Sequence, residues 1–224
     1  MYNLIVFLLL FTVSAWSQSS APSFLMTGGA VLSTNFIERG LTQTEGDPNL
    51  QGEFWFNFGP QFRLGLWGSN VRYEEASTTH FWLKMNADVK VDFSGTSNMI
   101  IKYSNNKFFK SNNRDGNTLG VHFNFDNYRI LYETESNWEG SEDSATYFAV
   151  GNRRPIFGDY VWNNQLGYTM PKVSGVTSYF DIRSGIGKNF RNIFVEGTAT
   201  YANATGAIKD RAELAVLLSA AVRY

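Results

Sequence analysis

The sequence predicts an all-β chain: a single antiparallel transmembrane β-barrel behind an N-terminal signal peptide. The count is twelve strands, with ten or fourteen as the alternatives. Three observations predict this. From Arg211 to Tyr224 the chain alternates, with Leu214, Val216, Leu218, Ala220, Val222 and Tyr224 on one face and Glu213, Ser219 and Arg223 on the other. Period two is the mark of a strand, and a fully apolar face ending in an aromatic ring suits lipid and an interfacial girdle. The same alternation recurs along the whole chain. The breaks between alternating segments are short and long by turns, which is the asymmetry of an outer-membrane barrel.

The first strand spans Ser23 to Ile37 and puts Phe24, Met26, Ala30, Leu32 and Phe36 on one face. The second, Leu50 to Phe58, sets Leu50, Phe54, Phe56 and Phe58 against Gln51, Glu53, Trp55 and Asn57, and Gly59-Pro60-Gln61 turns it. The third, Phe62 to Tyr73, opposes Phe62, Leu64 and Leu66 to Arg63, Gly65, Trp67 and Ser69. The fourth, Thr78 to Phe93, is the most regular, with Phe81 through Phe93 at every second position opposite His80, Trp82, Lys84, Asn86, Asp88 and Lys90. After Ser94 to Ser97 the fifth runs Asn98 to Asn106, and a polar stretch from Lys107 to Gly116 follows. The sixth (Asn117 to Phe125) and seventh (Tyr128 to Glu135) meet at Asp126-Asn127, a two-residue hairpin. The eighth, Ser144 to Arg153, has no facing that periodicity assigns. The ninth is Asp159 to Thr169, the tenth Val176 to Ile186 and the eleventh Phe190 to Tyr201; loop Ala202 to Asp210 leads to the twelfth. No proline interrupts a strand interior, as a sheet without edges requires.

Residues 1–17 read as the signal peptide and 18–224 as the barrel. Leu4 to Val13 is an apolar run of about ten residues, an h-region too short to span a bilayer. Ala15-Trp16-Ser17 supplies small residues for cleavage before Gln18, although Met1-Tyr2-Asn3 lacks the usual positive charge. No other apolar run is long enough for a transmembrane helix. The absence of cysteine excludes a lipoprotein anchor, a disulfide, a thiol nucleophile and thiolate metal sites. Aromatics reach 16% while mean hydropathy is −0.23, so the apolar residues serve strands with one oily face rather than a large oily core. A net charge of −1 gives no long-range field for nucleic acid.

One stretch is more specific than periodicity. Glu38 to Val71 reads ERGLTQTEGDPNLQGEFWFNFGPQFRLGLWGSNV. In Arg39-Gly40, Gln43-Thr44, Pro48, Gln51-Gly52, Gly65, Trp67 and Ser69-Asn70-Val71 it resembles the signature of TorF-family porins, small exported bacterial proteins with no assigned substrate. Thr42 stands where that family more often has Ser, Phe62 where it often has Tyr, and Arg72 where an acidic residue is expected. The resemblance covers about a sixth of the chain, and implies a small outer-membrane barrel with a channel role. The terminal strand ending in Tyr224 likewise resembles the assembly signal of outer-membrane proteins, implying the barrel assembly machinery as a partner.

The facing assigned above turns Arg63, Lys84, Lys102, Arg129, Arg183 and Arg223 inward with Glu53, Asp88, Glu133, Glu135, Asp181, Glu196 and Glu213. These near-balanced charges either pair across a filled lumen or ring a water-filled pore; twelve strands make a wider barrel than the eight-stranded type that side chains fill. Arg39, Gln43, Gln51, Glu53, Trp67 and Asn70 are expected near the first loop and upper lumen, either as a hydrogen-bonded loop anchor or as a solute-contacting constriction. Trp55, Trp67 and Trp82 point inward, to pack an inward-folded loop or to stack a solute. His80 and His122 sit on lumen faces of non-adjacent strands and lack the His-x-Ser spacing of an outer-membrane phospholipase, so neither catalysis nor a metal or other cofactor is expected. The expected function is passive diffusion of small polar solutes through a narrow lumen in the outer membrane of a Gram-negative bacterium. The expected partners are outer-membrane lipid and the small polar solute, with no nucleic acid. The alternative is a structural or loop-mediated interaction barrel with a closed lumen.

Overall fold

A computed structural model describes residues 24–73, 80–110, 112–212 and 214–224. The expected signal peptide and Glu213 lie outside the described residues. The barrel is closed and antiparallel. It consists of β1 (Phe24–Ser33), β4 (Asn49–Phe58), β5 (Phe62–Val71), β6 (His80–Ser94), β7 (Ser97–Phe109), β8 (Gly116–Phe125), β9 (Tyr128–Glu135), β10 (Ala145–Pro155), β11 (Tyr160–Pro171), β12 (Tyr179–Phe190), β13 (Ile193–Ala202) and β14 (Ala215–Arg223). Each strand pairs with the next, and β14 returns to β1, so the twelve expected strands form one ring without an edge. Two further short strands, β2 (Ile37–Glu38) and β3 (Leu41–Thr42), pair only with each other. Turns 59–61, 95–96, 126–127, 156–159 and 191–192 gather at one end with both termini of the described chain, and the longer connections gather at the other.

Period two now has a physical meaning. In β14, Val216 and Leu218 are 80% and 57% exposed while Leu217 between them is only 9% exposed. Leu32, Leu50, Leu66, Phe81, Leu119, Leu166 and Ile182 are likewise exposed around the ring. In water such a continuous apolar wall would be a severe liability, whereas in hydrocarbon it is the favoured surface. Aromatic rings cluster near the short-turn end, where Phe24 meets Phe56 and Phe58 at 5.8 and 5.6 Å between centroids and Phe58 meets Phe62 at 5.8 Å.

The closing seam depends on one glycine. Gly28 and Tyr224 exchange both backbone hydrogen bonds at 3.0 Å. A Cβ on Gly28 would stand 2.6 Å from the Tyr224 hydroxyl, so the terminal ring covers ground that only glycine leaves open. Gly28→Leu is expected to destabilise the seam by about 1–3 kcal/mol, the usual cost of overpacking. Its measure is a lower temperature of conversion from the compact to the unfolded gel band; an unchanged temperature would remove Tyr224 from the account of closure.

Several expected boundaries shift. The first strand ends at Ser33 rather than Ile37, and Phe36 does not join the outer face: the chain turns into the lumen there, and Phe36 packs on Trp67 and Trp82. The fifth strand continues to Phe109, where its inward residues Ser104, Asn106 and Phe108 still have a wall to pack on. The tenth starts at Tyr179 and carries on through Gly187-Lys188-Asn189, so the turn falls at 191–192. The twelfth starts at Ala215, because 206–211 form a 3-10 turn. The eighth strand acquires a facing: Tyr147 and Ala149 are buried while Phe148 and Val150 are exposed.

Candidate functional site

The connection between β1 and β4 does not project from the barrel. It folds inward as the β2–β3 hairpin, whose tip is Arg39-Gly40. Both tip residues have positive φ, +49° and +78°. A Cβ on Gly40 would lie 2.6 Å from the Cβ atoms of both Asp181 and Ala202, so glycine is required by conformation and by contact. The tip therefore rests on the β12–β13 wall, and Tyr179 donates its hydroxyl to the Arg39 carbonyl at 3.1 Å.

The Arg39 guanidinium completes the crossing. It reaches Glu135 at 2.7 Å and Glu133 at 3.0 Å, both on β9, the strand opposite β1 in the ring. One planar cation thus holds two carboxylates, a geometry suited to arginine's forked donors. His122 meets the other oxygen of Glu133 at 2.9 Å. On the near side Lys84 binds Glu38 at 2.8 Å and stands 3.9 Å over the Trp82 ring. Tyr73 donates to Gln43 at 2.9 Å. Val71, Tyr73, Trp82 and Phe108 form a hydrophobic cluster against which Phe36 and Trp67 pack. The inward tryptophans Trp67 and Trp82 are therefore occupied by the folded-in loop, and Trp55 lies under Arg63 at 4.1 Å.

The long loops close over the hairpin. Leu41 packs with Trp138, Tyr179, Ile208 and Ala212. Beside them Glu139 accepts from Arg114 at 2.6 Å and Arg211 at 2.5 Å, and Arg211 also donates to the Thr42 carbonyl at 3.0 Å. The Arg114 guanidinium lies 3.7 Å over the Tyr73 ring. Burial opposes the charge on Glu139, but Arg211 and Arg114 outweigh it and hold the carboxyl down at about 2. Burial pushes the Tyr73 hydroxyl up, so it remains a neutral donor. Arg114, Glu139 and Arg211 were invisible to periodicity, since all three lie in loops far apart in sequence.

Below the hairpin the lumen opens. A cavity of about 920 Å³ runs from Phe36 and Ile37 to the short turns, lined by Gln51, Arg129, Arg183 and Glu196 among others. Arg153 and Arg191 also line it; neither was an expected lumen residue, the first because its strand had no assigned facing and the second because it sits in a turn.

The expected constriction set is dispersed rather than gathered. Arg39 and Gln43 belong to the hairpin. Gln51 donates to Asn49 at 2.8 Å, and Glu53 accepts from Trp55 at 3.2 Å. Asn70 leaves the set: its oxygen accepts from the Leu50 backbone at 2.7 Å and its amide donates to the Pro48 carbonyl, so it ties down the start of β4 instead of lining a pore. Among the charges, Arg63 pairs with Asp88 at 2.6 Å and Arg183 with Glu196 at 3.1 Å. Arg129 reaches the neutral Gln165 at 3.1 Å. Lys102 lies one pairing from Gly120, which in turn faces Glu133. Asp181 is buried against the hairpin tip, with Tyr147 as its hydroxyl partner at 3.4 Å.

No family model matches the chain, and no curated protein matches it. Solved structures do. The KdgM porin aligns over 88% of this chain and 98% of its own with a TM-score of 0.56 at 7% identity. The NanC porin aligns over 89% and 98% with a TM-score of 0.57 at 8% identity. An outer membrane channel from Pseudomonas putida F1 aligns over 94% and 98% with a TM-score of 0.52 at 7% identity. At such identities the likeness is one of fold, and the fold this chain shares is the closed β-barrel of outer-membrane porins.

Proposed function

We propose that this chain is an exported outer-membrane channel for small polar solutes, constricted by the Arg39 hairpin. The observation that carries it is the division of the lumen: a polar cavity of about 920 Å³ below, and above it a single folded-in loop that stands outside the barrel's ladder, held mainly by side chains with one main-chain bond, from Arg72 N–H to the Gln43 carbonyl at 2.8 Å. Side-chain anchors break and re-form without opening the ring, so a loop held this way sets the bore while the wall stays closed. The apolar exterior supports residence in the outer membrane of a Gram-negative bacterium, with lipid as the first partner. The TorF-like signature supports the same reading, because Arg39-Gly40, Gln43-Thr44 and Pro48 all belong to the loop that crosses the lumen. Residues 1–17 serve as the export signal, and the strand ending in Tyr224 as the element presented to the assembly machinery. No catalytic role enters: His122 is engaged with Glu133 in the wall, and His80 is buried beside Tyr73.

The second reading, a structural barrel with a closed lumen, is favoured by one observation, the number of ion pairs that hold the hairpin and the loops above it. Single-channel recording of the refolded mature chain in a planar bilayer separates the two. Discrete, reproducible current steps are the expected result. Silence from protein shown to be folded and inserted overturns the channel reading in favour of the closed barrel.

A further inference from the structure

The lower cavity is not electrically neutral. Arg129, Arg153, Arg183, Arg191 and Arg223 line it against the carboxylates Asp126 and Glu196. Glu196 is already committed, accepting from Arg183 at 3.1 Å and from Asn163. Among the described residues no carboxylate lies within 4.0 Å of Arg129, Arg153, Arg191 or Arg223. Two further acids lie near: Glu53, with the Arg223 side chain beside Gly29, and Glu133, two inward positions from Arg129 on β9 and shared between Arg39 and His122.

The barrel's register explains why these cations stand together. Arg129, Gly151, Gln165 and Arg183 occupy one row across β9, β10, β11 and β12. Gly151 has no side chain, so Arg129 extends over it to Gln165, and two guanidiniums face one lumenal surface with a neutral amide between them. Arg153 lies one inward position nearer the turns, its guanidinium 5.1 Å over the Phe194 ring. Arg191, in the β12–β13 turn, and Arg223, at the end of β14, carry the arc to the mouth. Asn124, paired beside Arg129 on β8, and Gln51 on β4 add lining groups that donate and accept without charge.

We propose that this vestibule is a binding site for a small polar solute bearing two or more oxyanion groups, carboxylate or phosphate. Guanidinium forks bind either group in two-pronged fashion, and several of them spread along one arc reward a solute with separated negative charges. Low-dielectric walls concentrate the field of the unpaired cations inside the cavity, where salt screens it less than on an open surface. The volume matches that of a small-molecule site, within the usual range of roughly 300–1,000 Å³. The site opens toward the short-turn end, which the channel reading makes the periplasmic side; the proposal rests on that reading for access and for nothing else.

The test uses the refolded mature chain with citrate and pyrophosphate as probes and a neutral disaccharide as the control. In a salt gradient the reversal potential is expected to have the sign of an anion-preferring pore. Citrate or pyrophosphate on the short-turn side is expected to block current at concentrations where the disaccharide does not, and the difference between the two probes tells carboxylate from phosphate. In Arg153→Gln/Arg223→Gln, which leaves the Arg39 hairpin untouched, block is expected to weaken about tenfold or more, on the scale of one to two lost charge-assisted contacts. A cation-preferring pore, or equal block by anions and sugar, overturns the proposal while leaving the channel reading standing. If the folded protein conducts nothing, the channel reading fails, and calorimetric titration decides the site alone: salt-sensitive citrate or pyrophosphate binding that the double variant loses supports it, and no binding overturns it.

Discussion

Arg39→Ala is expected to release the hairpin and widen the lumen. The substitution leaves Glu133 and Glu135, side by side on β9, without the cation that joins them. Removing one partner of a buried ion pair costs about 3–5 kcal/mol, because the remaining charge stays desolvated and unpaired. Here the loss falls on the docking of one loop and not on the barrel, whose ladder does not involve Arg39. On the proposed channel reading the open-channel current should therefore rise roughly twofold or more while the compact gel band persists, because the loop occupies the lumen at this depth. Arg39→Lys should lie between the two, as an ammonium cannot fork to both carboxylates. Unchanged conductance in Arg39→Ala would show that the hairpin does not set the bore.

Glu139→Ala has the second large effect, on the loops that cover the hairpin. It strands Arg114 and Arg211 together above Tyr73 with their shared carboxylate gone. An unpaired, buried cation again costs about 3–5 kcal/mol, and here two of them also repel. Trypsin reports the outcome directly, because it cuts after arginine. Both arginines are largely buried in the native loops, so cleavage after Arg114 and Arg211 should be slow in the native protein and fast in Glu139→Ala, with the strands intact. Equal cleavage rates would remove Glu139 as the keystone of the loops.

The same carboxylate fixes a pH dependence. Its folded value, about 2, lies below the ordinary 4.5. A depressed acid stabilises the folded form fully above its unfolded value and loses that contribution as pH falls through the folded one. Loop protection against hydrogen exchange should accordingly hold from neutrality to about pH 4.5 and decline between there and about pH 2. Loss of protection already at pH 6 would mean that another group governs the loops.

How much of this was legible depended on the range of the interaction. Alternation over β4, β5, β6 and β14 is set by the pleat, which turns each residue by half a revolution whatever lies elsewhere. The outward Leu50, Phe54 and Phe56 and the inward Gln51, Glu53 and Trp55 were therefore readable without coordinates. Phe36 breaks the pattern for a tertiary reason: it keeps the parity of β1 but follows the point where the chain leaves the wall, and only the Trp67–Trp82 surface shows where it goes. Arg153 was missed because its strand places small Ala145, Ala149 and Gly151 inward, which gives periodicity too little contrast to work with.

The site divides along the same line. Sequence by itself determined the closed barrel, its count of twelve strands and its lipid-facing surface. Tertiary structure alone decided that Arg39 reaches the opposite wall, that Glu139 joins two arginines from separate loops, and that the surplus cations collect below the hairpin. A strand's facing follows from local geometry that repeats every two residues. The meeting of Arg39 with Glu133 and Glu135 joins residues on opposite sides of the ring, and their contact exists only once the barrel has closed and fixed its diameter.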